Sequence, residues 1–143
     1  MLIEVKTKVT RIEGKKYKKI VTTFIMDREL FSQAEYTVME LLENEKRNGT
    51  VFDYEIQSLR CSSIKELATQ YTGNNTFVVT LTDTFTDDEG NDKPLRYKVL
   101  LWAKDLSEAW ERTKELSEQG YDMHIEGIKE VNYEYIEGGE TDG

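Results

Sequence analysis

The feature that most constrains the fold is an internal repeat, in which the second half of the chain resembles the first. Phe24–Leu41 aligns with Val99–Leu116, and Phe52–Arg60 aligns with Tyr121–Lys129. Upstream, the alignment pairs Ile3 with Val79, Val5 with Leu81, Val9 with Phe85 and Gly14 with Gly90. Apolar character is preserved at most of these positions. Self-similarity of this kind indicates that one structural unit occurs twice.

Each repeat is predicted to form two strands, a helix and a third strand. The first strand alternates apolar and polar residues, as at Ile3, Val5 and Val9, and a glycine-containing turn leads into the second strand. The predicted second strands are Tyr17–Met26 and Leu95–Trp102, and the predicted third strands are Phe52–Leu59 and Tyr121–Val131.

The starts of both helices carry capping signals. In the first repeat Ser32 is followed three residues later by Glu35, which is the spacing of a capping box. In the second repeat Asp105 and Glu108 have the same spacing, but they lie two residues out of register with Ser32. The predicted helix ends are Gly49 and Gly120.

The predicted fold class is α+β, a tandem duplication of a β-β-α-β unit with about six mainly antiparallel strands and two main helices packed on the sheet. The third strand can pair in parallel beside the second or antiparallel beside the first. We expect the second arrangement, because the strands alternate instead of being continuously apolar. The predicted boundaries are 1–61 for the first repeat, 62–75 for a helical linker, 76–136 for the second repeat and 137–143 for a disordered acidic tail. The linker helix is predicted at Ile64–Tyr71, and the two repeats can form one compact domain.

Composition excludes several classes of protein. The formal net charge is −9, which disfavours a general binder of nucleic acids, because such binding depends on basic contacts to phosphate. One cysteine cannot form an intrachain disulfide, and no apolar run is long enough to span a membrane. The alternating N-terminal segment does not resemble a signal peptide. These features predict a cytoplasmic protein without a membrane segment.

No residue pattern in the chain indicates catalysis. The glycine-rich nucleotide-binding motifs are absent from the sequence, and His124 is the single histidine. A pairing of His124 with Cys61 would join third strands at non-equivalent positions, with no third group to orient them. The acidic run from Asp87 to Asp92 does not fit a calcium loop, because Phe85 occupies the first ligand position. We therefore predict a protein that is not an enzyme and that uses no cofactor or metal.

Four aromatic residues are candidates for a binding surface, since exposed aromatic side chains often carry most of the binding energy. They are Trp102, Trp110, Tyr133 and Tyr135. We expect Trp110 to pack into the core. Tyr133 and Tyr135 alternate in a strand-like stretch, which predicts an edge strand or a segment that docks a partner.

A set of short segments carries a resemblance to a known family. They are Glu4-Val5-Lys6, Lys19-Ile20-Val21-Thr22, Phe24-Ile25-Met26-Asp27 and Phe31-Ser32-Gln33-Ala34-Glu35. The chain resembles, over residues 1 to about 136, a small tandem-repeat family from Bacteroidetes and their phages that is catalogued as a domain of unknown function. The resemblance implies no catalytic residue. It implies an accessory protein of a phage or mobile element, or a binder of a host factor.

Charge asymmetry is the strongest functional signal in the sequence. Residues 1–24 carry seven basic and two acidic residues, whereas residues 73–143 carry seven basic and seventeen acidic ones. The basic residues of the first hairpin are Lys6, Lys8, Arg11, Lys15, Lys16, Lys18 and Lys19, with Tyr17 among them. The acidic residues at the tip of the second hairpin are Asp87, Asp88, Glu89 and Asp92.

Opposite charges on two equivalent hairpins suggest three hypotheses. The preferred one is binding of a basic protein partner by the acidic hairpin, with faster association through the electrostatic field. The second is nucleic-acid binding by the basic hairpin, with Tyr17 available for stacking. The third is head-to-tail self-association of the two hairpins, a contact that forms rings or filaments.

Overall fold

The computed structural model describes residues 1–118 and 123–137 of the chain. In chain order the elements are β1 (Leu2–Glu13), β2 (Lys16–Asp27), α1 (Phe31–Arg47), β3 (Val51–Cys61), β4 (Ile64–Ala68), β5 (Asn75–Thr86), β6 (Asp92–Ala103), α2 (Leu106–Leu116), β7 (His124–Val131) and β8 (Tyr135–Glu137). The predicted α+β class and its two helices are confirmed. The predicted count of six strands is wrong, because eight strands form two four-stranded sheets in the described residues.

The chain divides into two compact units. Unit 1 contains Met1–Ser62 and the returning segment that starts at Tyr133, and unit 2 contains Ser63–Asn132. The sheet of unit 1 has the order β3-β1-β2-β8, and that of unit 2, written in the corresponding direction, β7-β5-β6-β4. In each sheet the third strand pairs antiparallel beside the first, as predicted, and the fourth strand is parallel to the second.

Each sheet packs one face against its own helix. In unit 1 the apolar stripe of α1 covers the central strands, and the buried cluster comprises Ile3, Val5, Val9, Phe24, Met26, Ala34, Val38, Leu42 and Val51. In unit 2 the corresponding cluster comprises Ala68, Phe77, Val79, Leu81, Val99, Leu101, Ala103, Ala109 and Leu116. The face of each sheet that packs against the helix is called the helix side below.

The predicted helical linker is wrong, because Ile64–Ala68 forms β4 and not a helix. The strand pairs in parallel with β6, and its two end residues are buried. The Glu66 carboxylate accepts a hydrogen bond from the Tyr97 hydroxyl (3.0 Å), which ties β4 to β6. Pairing along the edge of a sheet has overridden a local helical signal of only a few residues.

The alignment of the first strands is wrong by two residues. Phe24 lies opposite Val5, but Val99, which aligns with Phe24, lies opposite Val79 and not Leu81. The first hairpin turns through residues 14–15, whereas the second turns through residues 87–91. The predicted alignment paired Gly14 with Gly90 although the two turns differ in length. It therefore placed the residues of β5 two positions out of register with those of β1.

The helix starts are equivalent in the two units, and the capping box predicted at Ser32 is wrong. Helix α1 begins at Phe31, where the Gln33 side chain accepts a hydrogen bond from the Leu30 N–H (3.1 Å). At the start of α2, Asp105 accepts from the Glu108 N–H (2.9 Å), which confirms that cap.

The predicted helix end at Gly49 is confirmed, since its φ of 81° is a left-handed conformation that suits glycine. Gly120 and the predicted start of the last third strand at Tyr121 lie outside the described residues. The predicted disordered tail is wrong at Glu137, which belongs to β8, and the rest of the tail also lies outside them.

Candidate functional site

The register of β1 and β2 sorts the residues of the first hairpin onto two faces. Directly opposite residues of an antiparallel pair point to the same side of a sheet. Val5 and Phe24 are such a pair on the helix side, whereas Lys8 lies opposite Val21 on the other face. Near the hairpin tip this second face is exposed. We call it the open face, and its exposed members near the tip are Lys6, Lys8, Tyr17, Lys19 and Val21 on β1 and β2 and Phe52, Asp53 and Glu55 on β3.

The open face brings together only part of the predicted basic cluster. It contains Lys6, Lys8, Tyr17 and Lys19, whereas Arg11, Lys16 and Lys18 lie on the helix side and Lys15 lies in the turn. The Arg11 guanidinium is ion-paired with Glu45 (3.1 Å) and with Glu134. Arg11 therefore holds elements of unit 1 together, and its charge is already balanced within the fold.

Two aromatic rings meet on the open face. Tyr17 on β2 and Phe52 on β3 have ring centroids 4.7 Å apart with an angle of 34° between the ring planes. Tyr17 is 63% exposed and Phe52 is 54% exposed. Both rings therefore keep apolar surface that can be buried against a ligand. A ring pair in this position can stack a planar group from solution.

Phe52 was not found by sequence reasoning, because its position depends on a β-bulge. The pairing of β1 with β3 shifts between Thr10 and Arg11, so that Phe52 is the additional residue on β3. A bulge redirects a side chain that strict alternation would place elsewhere. The signal in the sequence was the adjacent apolar pair Val51-Phe52, which breaks the alternation of the strand.

The hairpin lysines are not neutralised within the fold. In the part of the chain that the structure describes, ion pairs within 4.0 Å include none of Lys6, Lys8, Lys15, Lys16, Lys18 and Lys19. Two carboxylates lie on the neighbouring strand, with Asp53 opposite Thr10 and Glu55 opposite Lys8. The open face therefore carries a local positive charge at the β1–β2 hairpin and a mixed charge toward β3.

The acidic hairpin uses part of its charge to fold its own turn. The Asp87 carboxylate accepts hydrogen bonds from the N–H groups of Asn91 (2.8 Å) and Glu89 (3.0 Å) and is ion-paired with Lys93 (3.4 Å). These contacts, the Asn91 N–H foremost, lower the pKa of Asp87. Asp92 accepts from the Thr86 hydroxyl (2.7 Å). Asp88 and Glu89 therefore remain as the outward-facing carboxylates of this tip.

The candidate catalytic residues are exposed and lie in different units. Cys61 ends β3 in unit 1, where its Sγ lies 3.3 Å from the Met1 Sδ, and His124 begins β7 in unit 2. Among the described residues, no three His, Cys, Asp or Glu side chains are grouped so that they could hold a metal ion. No described helix is long and apolar enough to cross a membrane.

The four candidate aromatic residues differ in their surroundings, and one of them departs from the prediction. The prediction that Trp110 packs into the core is wrong, since 46% of its side chain is exposed next to Leu106. Tyr135 is in the edge strand β8, as predicted. Burial, together with the nearby Glu4 carboxylate, raises the pKa of Tyr133 to about 12. Trp102 is partly buried beside Tyr71.

Comparison with known proteins gives a family match. A family model described as "Domain of unknown function (DUF4494)" matches residues 1–136. No curated protein and no solved structure matches the chain significantly.

Proposed function

We propose that this chain, which belongs to the family Domain of unknown function (DUF4494), is a non-enzymatic protein that binds single-stranded nucleic acid on the open face of unit 1. The observation that carries the proposal is the exposed ring pair of Tyr17 and Phe52, which lies among lysines that have no ion-pair partner in the described structure. Proteins that bind single strands combine these two features, because bases stack on aromatic rings while cations follow the phosphate backbone.

The geometry favours a single strand over a duplex. The bases of a duplex are stacked on each other, so their planar faces are not available to protein rings. Lys6, Lys8 and Lys19 lie along the same face as the rings and provide only a few phosphate contacts. With a net charge of −9, the remainder of the chain repels a long polyanion. Stacking must therefore supply much of the affinity, and only unpaired bases can stack.

The proposal can be tested by fluorescence anisotropy with a labelled single-stranded oligothymidine and the corresponding duplex. Each stacked base contributes about 1–3 kcal/mol, so Tyr17→Ala and Phe52→Ala should each weaken single-strand binding by about 5- to 150-fold. The combined variant Lys6→Gln, Lys8→Gln and Lys19→Gln should reduce the slope of log K against log salt by about 2.

A matched control comes from the helix side of the same hairpin. Lys16→Gln with Lys18→Gln removes positive charge from the opposite face, so it should leave the stacking contribution intact and weaken binding only slightly. Equal losses from the two lysine variants, or equal affinity for duplex and single strand, would contradict the proposal. Binding of a protein from the host in place of nucleic acid would favour the acidic hairpin as the functional element.

We further propose that units 1 and 2 arose by duplication of one β-β-α-β unit with a short fourth strand. The same sheet order and pairing directions support this proposal. The bulges between the first and third strands support it too, because they fall at corresponding steps, after Lys6 and after Thr80. An origin in a phage or mobile element and a cytoplasmic location stay predictions.

A further inference from the structure

The second hairpin exposes two large apolar side chains on its helix side. Phe85 lies opposite Lys93 on the same face of the sheet as Leu81, and Leu95 lies opposite Asp83 on that face. Phe85 is 48% exposed and Leu95 is 47% exposed. The two residues are diagonal neighbours on adjacent strands, a spacing at which large side chains contact each other. They place apolar surface from both strands at the outer end of the hairpin, with Asp83 and Lys93 beside them on the same face.

The corresponding surface of unit 1 is covered by its own helix. Helix α1 has 17 residues, and its last turns place Glu43 on the Tyr54 hydroxyl (2.7 Å) and Glu45 on Arg11 (3.1 Å). Helix α2 has 11 residues and ends at Leu116. In the strand pairing Val79 takes the place of Val5, so Phe85 takes the place of Arg11. Phe85 is about half exposed, whereas the Arg11 guanidinium is covered by Glu45 of α1.

The charge around the exposed pair is opposite to that in unit 1. In unit 1 a basic strand residue, Arg11, is paired with an acidic helix. In unit 2 the apolar pair has Asp83 on the same face and Asp88 and Glu89 in the adjoining turn, while Lys93, opposite Phe85, is ion-paired with Asp87 (3.4 Å). A helix that covered this surface in the same way would have to carry basic residues beside an apolar stripe.

We propose that this surface, formed by Asp83, Phe85, Asp88, Glu89 and Leu95, docks a basic amphipathic helix of a partner protein. The apolar stripe of that helix packs on Phe85 and Leu95, and its lysines or arginines face the carboxylates. Helix-in-groove recognition has this division between apolar anchors and charged flanks. The proposal concerns unit 2 and is independent of the nucleic-acid proposal for unit 1.

The test uses the full-length protein and a synthetic helical peptide that carries leucine on one face and lysine on the others. Loss of two partly buried anchors should weaken binding at least about tenfold in the double variant Phe85→Ser and Leu95→Ser. Replacing leucine by serine in the peptide should have a similar effect. Val21→Ser, which removes an exposed apolar side chain from unit 1, is the matched control and should leave binding unchanged.

A second variant tests the proposal independently of whether the Phe85→Ser and Leu95→Ser variant folds. Asp88→Lys with Glu89→Lys changes only exposed tip residues and should also weaken binding of the leucine–lysine peptide. Unchanged affinity in this folded variant, or equal binding of a leucine–glutamate peptide, would overturn the proposal. A dimer of the wild-type chain that Phe85→Ser with Leu95→Ser dissociates would also overturn it, since the occupant would then be a second copy.

Discussion

Units 1 and 2 have the same strand pairing but different exposed surfaces. In both sheets the strand order and the direction of each pair are the same, and one bulge of the third strand falls at the same step, after Lys6 and after Thr80. On the face away from the helix, unit 1 presents lysines and the Tyr17–Phe52 pair. On the equivalent face of unit 2, β5 presents a row of threonines at positions 80, 82, 84 and 86.

The comparison separates the positions that the fold requires from the positions that can serve binding. Buried positions must keep their apolar character, because the core depends on close packing. Exposed positions are free of that requirement, so binding sites are placed on a fold without changing it. The two surfaces that differ most between the units, the open face of unit 1 and the exposed apolar pair of unit 2, are therefore the two proposed binding sites.

The largest expected effect separates buried from exposed phenylalanines in both units. Phe24→Ala and Phe77→Ala should each lower the free energy of unfolding by about 3–5 kcal/mol, because each removes a fully buried ring. Phe52→Ala and Phe85→Ala should change it by about 0.5 kcal/mol or less, since both rings are about half exposed. Urea denaturation of the four variants gives the comparison. A large loss at Phe52 or Phe85 would show that these rings serve the fold and not a partner.

A smaller effect should follow from exchanging the helix caps. Leu30 precedes α1 without a side-chain cap, whereas Asp105 caps α2. Leu30→Asp should raise the free energy of unfolding by about 1 kcal/mol, and Asp105→Leu should lower it by a similar amount. Thermal denaturation of both variants measures the change. If Leu30→Asp has no stabilising effect, the two helix starts are less alike than the backbone indicates.

The smallest expected effect is a pH dependence of stability that comes from Tyr54 of unit 1. Burial, with a hydrogen bond to Glu43, raises the pKa of Tyr54 to about 12 from its ordinary value of 10.0. Met123 takes the aligned position in unit 2 and does not ionise. The unfolded chain loses this proton at a lower pH than the folded chain does. The contribution of Tyr54 to the free energy of unfolding is therefore complete below pH 10 and falls as the pH rises toward 12.

This pH dependence can be assigned with one substitution. Tyr54→Phe should reduce the loss of unfolding free energy between pH 10 and pH 12. The reduction should be no more than about 1 kcal/mol, since the Tyr54 side chain is partly exposed to solvent. Urea denaturation at a series of alkaline pH values measures it. An identical fall in the wild-type protein and in Tyr54→Phe would mean that other tyrosines, such as Tyr133, cause the whole dependence.

Much of the fold could be predicted from the sequence, because the alternation of each strand and the apolar stripes of the helices are local signals. The position of the third strand beside the first followed from that alternation. The alternation of Tyr133 and Tyr135 indicated the short strand β8 but not its pairing partner, and the short strand β4 was not found. Each depends on hydrogen bonds to a distant strand, and in Ile64–Ala68 the local signal even favoured a helix.

The candidate site was predicted only in part, for a related reason. Lys6, Lys8, Tyr17 and Lys19 belong to the hairpin that the charge pattern indicated. The separation of Arg11 from them depends on contacts with Glu45 and Glu134, far away in the sequence. The partner ring Phe52 depends on a bulge, which changes the face of a residue without leaving a strong local pattern.

The most direct test of the central claim is to map backbone NMR shifts of the full-length protein during titration with single-stranded oligothymidine. We expect the largest shifts at the amides of Lys8, Tyr17, Lys19 and Phe52, which surround the ring pair. The shifts should saturate with the affinity measured by anisotropy. Shifts confined to the hairpin of Asp87 and Asp92, or no shifts at saturating oligonucleotide, would contradict the claim that the open face binds nucleic acid.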